Sequence, residues 1–344
     1  MNRKYFLSNM VGLLGLKELN AHPAAINALH AAAEDSAMRI PAYLQQGDKI
    51  GISSPAGYIT KEDIQPAVEQ LTNWGLVPVI GSTIGKRDFT FGGTDEERRI
   101  DFQQMLDDHS IKAILCARGG YGIVRIIDQL DFSEFRKNPK WIIGFSDVTV
   151  LHSHIHAHCN IATIHSKMCN SFPAEPGTAE PDQKKSIESI RQCLFNEKFD
   201  YEIPVSSFNR TGIATAQLIG GNLKTIESLS GTPSDISTRN KILFVEDTGE
   251  YLYSIDRMFW NLKRTGKLDQ LKGLIICGFK VKKDDEGEEF GKSLEQIVLE
   301  KLSDFKYPVC FGFPVGHQKL NMAIACGRVH RLEVSAGNVS LTPQ

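Results

Sequence analysis

The chain has 344 residues, of which 41% are hydrophobic and 23% are charged, the composition of an ordinary globular protein. Its 39 basic and 41 acidic residues give a formal net charge of −2, which excludes the basic balance typical of proteins that bind nucleic acid or an anionic membrane surface. One hydrophobic core rarely organises more than about 250–300 residues, so this length predicts two domains.

The N-terminal segment has the features of an export signal. Arg3 and Lys4 precede an apolar stretch over residues 5–16, and small residues follow around 28–33. The start also resembles a twin-arginine signal in which lysine replaces one arginine. We therefore predict a signal-like segment or tail over residues 1–38 and a periplasmic or otherwise exported protein. The alternative is an amphipathic N-terminal helix of a cytoplasmic protein. No membrane span is predicted in the mature chain, because no other segment has about 18 consecutive apolar residues.

Strands and helices alternate in the predicted N-terminal domain, residues 39–170. Apolar runs predict strands over residues 49–53, 77–80, 111–116 and 141–145. Helix starts are predicted after Thr60 and Thr94, and further helices over 123–130 and from Asp147 onward. This alternation predicts an α/β fold, in which a doubly wound parallel sheet of flavodoxin or Rossmann type receives ligands at the carboxyl ends of its strands.

The pattern changes after residue 170. Prolines and charged residues predict a linker or long loop over residues 171–204. Short strands over 242–245, 274–278 and 331–334, with a helix over 254–265, then predict a smaller C-terminal mixed α/β domain over residues 205–344.

Ser146 is the most informative single residue, because an apolar strand delivers it to the start of a helix. A tight turn there exposes the hydroxyl, and the unpaired amides of the helix start favour the negative charge that develops in acyl transfer. The arrangement is analogous to a nucleophile elbow, although Val148 replaces the second glycine of G-x-S-x-G. The alternative is that Ser146 only caps the helix.

A glycine-rich turn over residues 118–122 follows the strand predicted over residues 111–116. Glycines let backbone amides approach a ligand oxygen closely. The amide of Gly120, together with that of Asp147, is therefore a candidate oxyanion-hole donor. A phosphate-binding loop is a rival interpretation, but the run matches neither common phosphate-loop pattern. A plain tight turn is the other alternative.

A serine nucleophile needs a base, and the base needs an orienting carboxylate. His317 lies at the Gly/Pro-rich exit of an apolar run, and Glu246 directly follows another apolar strand. Glu246 is expected to accept the second imidazole proton, with Asp247 and Glu250 as local competitors.

Two further groups of residues raise the question of metal binding. The four alternating histidines at 152, 154, 156 and 158 would share one face of a strand, whereas on a helix only the pairs 152/156 and 154/158 align. Because a helix is predicted here, no metal is expected. The seven cysteines contain no C-x-x-C pair and predict buried free thiols, so neither a disulfide framework nor a zinc site is expected. No cofactor is expected.

From about residue 40 to 340 the chain resembles the LD-carboxypeptidases, whose motifs occur here in the same order. The motifs are the runs at residues 53–57, 117–122, 144–147, 218–223, 245–247 and 316–317. The resemblance implies that Ser146 is the nucleophile, His317 the general base and Glu246 its partner, with the amides of Gly120 and Asp147 as the oxyanion hole. It also implies a cleft between two domains, a homodimer and no metal.

The same resemblance implies a substrate. Family members release the terminal D-alanine of murein tetrapeptides, and Arg118 and Asn222 are the residues expected to bind the substrate carboxylate and backbone. The well-known recycling members are cytoplasmic, so an exported protein would act on the sacculus or on released muropeptides. A related peptidase that acts on peptidyl-nucleotides, as the microcin C immunity peptidases do, is the first alternative. A non-catalytic ligand-binding α/β protein is the second.

Overall fold

The computed structural model describes residues 38–175 and 177–344. The predicted signal-like segment lies outside the described residues, apart from Met38. Within the described residues, the strands form two six-stranded sheets. Within the described ranges, no helix combines the length and the hydropathy that crossing a membrane requires.

The first sheet is built mainly from parallel strands. In chain order these are β1 (Lys49–Ser53), β2 (Val77–Ile80), β3 (Ile111–Cys116), β4 (Trp141–Gly144) and β5 (Thr163–His165). They are arranged β2-β1-β3-β4-β5, the order of flavodoxin-like sheets. In such sheets ligands bind beyond the carboxyl ends of the strands, near the point where the order reverses.

Five helices accompany the first sheet in sequence. They are α1 (Lys61–Asn73), α2 (Asp95–Asp107), α3 (Ser133–Lys137), α4 (Thr149–Cys159) and α5 (Pro181–Leu194). Thr60 and Thr94 begin α1 and α2, as predicted, and each forms a capping box with the residue three positions later.

The helix predicted over residues 123–130 is wrong. The chain forms two short 3-10 turns there, Ile123–Arg125 and Ile127–Gln129. Ile123, Ile126 and Ile127 are all buried, so tertiary packing fixes this segment. A 3-10 turn brings residues three apart onto one side and therefore satisfies the same apolar spacing as an α-helix.

The linker or long loop predicted over residues 171–204 also differs from the structure, because α5 occupies residues 181–194. Pro181 stands at the first helical position, where its missing N–H costs nothing. Ile187, Ile190 and Leu194 pack into the core of the first sheet. The charged residues of α5 and the prolines before and at its start conceal this three-residue apolar pattern in the sequence.

The second sheet contains four parallel strands and two antiparallel ones. The parallel strands are β6 (Gly212–Asn222), β7 (Ile242–Thr248), β8 (Gly273–Lys280) and β9 (Val309–Gly316). After β10 (Ile324–Cys326), the strands β11 (Val329–Val334) and β12 (Val339–Pro343) extend this sheet beyond β6. Its helices are α6 (Leu223–Ser228), α7 (Leu252–Arg264) and α8 (Leu294–Lys301). The protein therefore has the predicted α/β fold with two sheets.

Strand β10 connects the two halves of the chain. It lies within the predicted C-terminal domain, yet it pairs antiparallel with β5 at the edge of the first sheet. The carboxyl ends of β3 and β4 lead to the glycine-rich turn and Ser146, while β7 carries Glu246 and β9 leads into His317.

Candidate active site

Ser146 has a strained backbone at the point where β4 passes into α4. It begins a single 3-10 turn, Ser146–Val148, and its φ of 63° lies in the left-handed region. For a residue other than glycine this conformation costs on the order of 1–3 kcal/mol and is concentrated at functional sites. The Ser146 side chain caps neither this turn nor α4. The N-cap residue of the turn is Phe145, and that of α4 is Val148. The geometry is therefore that of a nucleophile elbow and not of a helix cap.

The glycine-rich turn lies directly against Ser146. A Cβ on Gly119 would stand 3.2 Å from the Cβ of Ser146 and 3.4 Å from its Oγ. The next residue, Gly120, has a φ of 113°, which side chains rarely tolerate. The structure therefore brings the turn that contains the Gly120 amide next to the serine hydroxyl.

Asp147 holds the turn and the serine together. Its Oδ2 accepts a hydrogen bond of 2.9 Å from the amide of Ile123, at the end of the glycine-rich turn. Burial raises the pKa of Asp147 to about 6, while hydrogen bonds from the Ile123 and Gly122 amides oppose this rise. The segments that carry the two predicted oxyanion donors are thus tied to each other.

Glu246 and His317 form a close pair. Glu246 is fully buried on β7, and its Oε2 accepts a hydrogen bond of 2.6 Å from Nδ1 of His317 and one of 3.2 Å from the His317 amide. An imidazole whose Nδ1 donates to a carboxylate leaves Nε2 as the proton acceptor. This is the arrangement that a general base and its orienting carboxylate require.

Within the described residues, neither of the competing carboxylates, Asp247 and Glu250, forms a hydrogen bond with His317. Asp247 is buried and accepts hydrogen bonds from the amides of Lys224 and Thr248, at 2.9 and 2.7 Å. Burial, followed by the charge of Glu246, raises the pKa of Asp247 to about 6. Its hydrogen bonds attach it to α6, so Glu246 is the acid of this strand that reaches the imidazole.

The two halves of the site meet through the residue next to the serine. The ring centroid of Phe145 lies 4.8 Å from that of His317. Nearby, the amide of Asn222 donates a hydrogen bond of 3.0 Å to Oγ1 of Thr149, which joins the end of β6 to the start of α4. Through Phe145 and Thr149, the segment that carries Ser146 therefore contacts His317 and the end of β6. The action of Ser146, Glu246 and His317 as one catalytic set stays a prediction.

The two predicted substrate-binding residues have different surroundings. Arg118 is exposed, and its guanidinium donates a hydrogen bond of 2.9 Å to the carbonyl of Tyr58. Asn222 is buried, where its Oδ1 accepts from the Thr225 amide at 3.0 Å and its Nδ2 donates to Asp247 at 3.2 Å. Asn222 is thus the N-cap of α6. A role for Arg118 or Asn222 in substrate binding stays a prediction.

The four alternating histidines lie on α4 and bond to other groups. His152 and His156 contact the Gly144 carbonyl and Thr163 Oγ1, at 2.9 and 3.1 Å. His154 and His158 contact Ser234 Oγ and the Pro233 carbonyl, at 2.9 and 2.7 Å. Among the described residues, no cluster of three or more His, Cys, Asp or Glu side chains is suited to hold a metal ion.

One residue near the candidate site has no clear signal in the sequence. Lys167 follows β5, and its Nζ donates a hydrogen bond of 3.1 Å to the carbonyl of Gln318, the residue after His317. Its position just beyond the carboxyl end of a parallel strand is the same signal that identified Ser146. The signal is weak here because β5 has only three residues and no clear apolar run.

Two family models match the chain. The LD-carboxypeptidase N-terminal domain matches residues 50–166, and the LD-carboxypeptidase C-terminal domain matches residues 215–332. A probable murein peptide carboxypeptidase of Bacillus subtilis is 35% identical over 293 residues, which are 83% of this chain and 89% of the relative.

Solved structures of two kinds resemble the chain. The muramoyltetrapeptide carboxypeptidase of Oxalobacter formigenes has a TM-score of 0.74 and 28% identity, and the match covers 86% of this chain and 100% of that one. The microcin C7 self immunity protein MccF in complex with aspartyl sulfamoyl adenosine has a TM-score of 0.78 and 25% identity, with 89% and 99% of the two chains covered.

Proposed function

The chain belongs to the LD-carboxypeptidase family, and from this premise we propose that it hydrolyses the L,D-peptide bond that releases terminal D-alanine from murein tetrapeptides. The observation that carries the proposal is the 2.6 Å hydrogen bond between Glu246 and His317. The His317 ring also contacts Phe145, which directly precedes Ser146 and its left-handed backbone. No metal takes part in the proposed chemistry.

In the proposed cycle, Nε2 of His317 takes the proton of Ser146 Oγ as this oxygen attacks the scissile carbonyl. Glu246 stabilises the imidazolium through Nδ1. The amides of Gly120 and Asp147 donate to the oxyanion of the tetrahedral intermediate. His317 then gives its proton to the departing amine of D-alanine. In deacylation His317 takes a proton from the attacking water and then gives it to Ser146 Oγ, which leaves as the acyl–oxygen bond breaks.

The test is D-alanine release from a defined murein tetrapeptide by Ser146→Ala. We expect only residual activity, because an enzyme without its nucleophile keeps no more than the contributions of binding and the oxyanion hole. Ser153→Ala is the matched control, since Ser153 is buried on α4 and its hydroxyl has no hydrogen-bond partner in the described part of the chain. Normal D-alanine release by Ser146→Ala would exclude Ser146 as the nucleophile.

Peptidyl-nucleotides are the second candidate substrates, and the likeness to the MccF complex favours them. The same serine, histidine and glutamate would cleave either bond, so the choice depends on substrate binding. Measuring kcat/KM for a murein tetrapeptide and for an aminoacyl sulfamoyl adenosine separates the two. The murein proposal requires the tetrapeptide to be the better substrate.

We also propose that residues 1–38 direct export and that the enzyme is a homodimer. The basic pair and the apolar stretch over residues 5–16 support export, which would give the enzyme access to the sacculus or to released muropeptides. N-terminal sequencing of the native protein tests the first proposal. Sedimentation analysis of the mature protein tests the second.

A further inference from the structure

We infer that Lys167 binds the terminal carboxylate of the substrate and so makes the enzyme a carboxypeptidase. This inference rests on the proposed function and adds to it the residue that recognises the free chain end. Neither the motifs nor the family resemblance singles out this lysine.

Lys167 lies beside both halves of the candidate site. Its Nζ is 5.8 Å from the ring centroid of Phe145, the residue before Ser146. The same Nζ donates to the Gln318 carbonyl at 3.1 Å, which brings it next to His317. The following residue, Met168, would contact a Cβ placed on Gly119 at 3.2 Å. The Lys167 ammonium therefore lies beside Phe145 and Gln318, the direct chain neighbours of Ser146 and His317.

The ammonium of Lys167 has no balancing carboxylate close by. In the described ranges no carboxylate oxygen lies within 4.0 Å of its Nζ, in contrast to Lys267 and Lys301, which are buried and paired with Asp235 and Asp256. Lys167 is itself half-buried, and burial lowers its pKa, with only the more distant charge of Glu246 opposing this. A partly desolvated cation bonded to one carbonyl is suited to receive an anion.

The chemistry of the leaving group places its carboxylate on the histidine side. His317 protonates the amine of the departing D-alanine, and the carboxylate of that residue is only two covalent bonds from its amine. The carboxylate must therefore lie close to His317 when the bond breaks. Lys167 donates a hydrogen bond to Gln318, the residue after His317, and so lies where this carboxylate must be bound.

Strand order separates Lys167 from Arg118, the carboxylate ligand that the sequence suggests. The sheet runs β10-β5-β4-β3-β1-β2, with Ser146 after β4. Arg118 follows β3, and its side chain extends toward Tyr58, beyond β1. Lys167 follows β5, on the opposite side of Ser146 and next to β10, the strand that the His317 loop enters. The two cations therefore flank the serine on opposite sides.

The test compares a tetrapeptide that ends in D-alanine with the same peptide ending in D-alaninamide. The full chain, Lys167→Gln and Lys112→Gln are each assayed on both peptides. Lys112 is the matched control, because it also bonds one backbone carbonyl, that of His109 at 3.0 Å, but lies at the start of β3. Glutamine removes the charge and keeps an N–H donor, on a side chain that is one atom shorter.

We expect the wild type and Lys112→Gln to prefer the free acid strongly. In Lys167→Gln the ratio of kcat/KM for acid over amide should fall by about 10-fold to 100-fold, the usual value of a hydrogen bond to a charged group, through a higher KM for the acid. Lys167→Arg should restore part of the preference. Labelling of Ser146 with a fluorophosphonate measures the folded fraction of each variant, so that rates refer to folded enzyme.

Two results would overturn the inference, and they are distinguishable. If the wild type releases D-alanine but Lys167→Gln keeps the wild-type preference, or loses kcat equally on both peptides, Lys167 has no role in carboxylate recognition. If the wild type cleaves neither peptide, the proposed function fails and this inference fails with it.

Discussion

Gly316 illustrates how a single residue without a side chain makes the site possible. Its φ is 102°, and a Cβ at this position would overlap the Cβ of Glu246. The close approach lets the His317 amide and ring both reach the Glu246 carboxylate. Any larger residue must push either Glu246 or the His317 loop away.

Gly316→Ala is therefore expected to reduce D-alanine release by about 10²-fold or more, because small displacements of catalytic groups have effects of this size. Gly312→Ala is the control on the same strand. Gly312 also has a positive φ, of 76°, but a Cβ there meets nothing within 4 Å. Both variants should lose stability, by about 1 kcal/mol for the control, in thermal unfolding. Equal activity of the two variants would contradict the steric explanation.

Glu246 and Asp247 are adjacent buried carboxylates that provide a second test at this scale. Glu246→Gln keeps the shape of the side chain but no longer stabilises the imidazolium, so kcat should fall by about 10³-fold to 10⁴-fold. Asp247→Asn should retain most of the activity, since Asp247 bonds the amides of Lys224 and Thr248. Steady-state kinetics of both variants checks the assignment. The reverse order of losses would make Asp247 the orienting acid.

At the scale of elements, α4 starts against the end of β6. Thr149 Oγ1 accepts the Asn222 amide at 3.0 Å, and a Cβ on Gly221 would lie 2.6 Å from the same oxygen. This contact fixes the helix that begins three residues after Ser146. It joins an element of the first sheet to an element of the second.

Thr149→Val removes this acceptor while keeping the volume of the side chain. The Asn222 amide would then be buried without a partner, which costs about 1–3 kcal/mol of unfolding free energy. Urea denaturation measures the loss. Thr72→Val on the exposed end of α1 is the control and should change stability by less than about 0.5 kcal/mol. An equally small change in both variants would mean that the contact does not hold the two elements together.

Elements with a long local signal could be predicted from the sequence. The strands β1, β3, β4 and β7 are almost entirely buried apolar runs. Of these, β3 leads to the glycine-rich turn, β4 leads to Ser146 and β7 carries Glu246. Elements that depend on distant contacts could not. Strand β10 has three residues and exists because β5 supplies its partner, and α5 hides its apolar face among prolines and charges. Lys167 lacks a local signal for the same reason, because it follows the short strand β5.

At the scale of the whole molecule, the chain between β9 and β10 connects one sheet to the other and carries His317. Helix α5 holds this connection, because Ser186 and Ser189 accept hydrogen bonds from the amides of Asn321 and Ala323 at 2.9 and 2.8 Å. Asn321 in turn accepts from the Gly316 amide at 2.9 Å. The segment expected to be a linker therefore contributes to the position of the general base.

Buried titratable groups distributed over both sheets determine how stability depends on pH. Burial lowers the pKa of His152 to about 4, of His156 to about 3 and of His330 to about 4, from an ordinary value of 6.5. Burial also lowers the pKa of His154 and His165. In the opposite direction, it raises the pKa of Asp147 and Asp247 from 3.8 to about 6.

These shifts predict that the protein is more stable at pH 7 than at pH 5. Below pH 6.5 the unfolded chain protonates its histidines while the folded chain keeps them neutral, so the stability present above pH 6.5 is lost as the pH falls toward 4. The two aspartates act oppositely between pH 6 and 3.8, because the folded chain binds their protons more tightly. Five bases outweigh two acids, and each net proton changes the unfolding free energy by about 1.4 kcal/mol per pH unit.

Urea midpoints at pH 5, 6 and 7 measure this balance, and two variants shift it in opposite directions. His165→Leu removes one base whose ring nitrogens are both buried without partners in the described part of the chain, so its midpoint should fall less between pH 7 and 5. Asp247→Asn removes one of the opposing acids, so its midpoint should fall more. A wild-type midpoint that rises toward pH 5 would mean that the buried aspartates, and not the histidines, dominate the proton balance of folding.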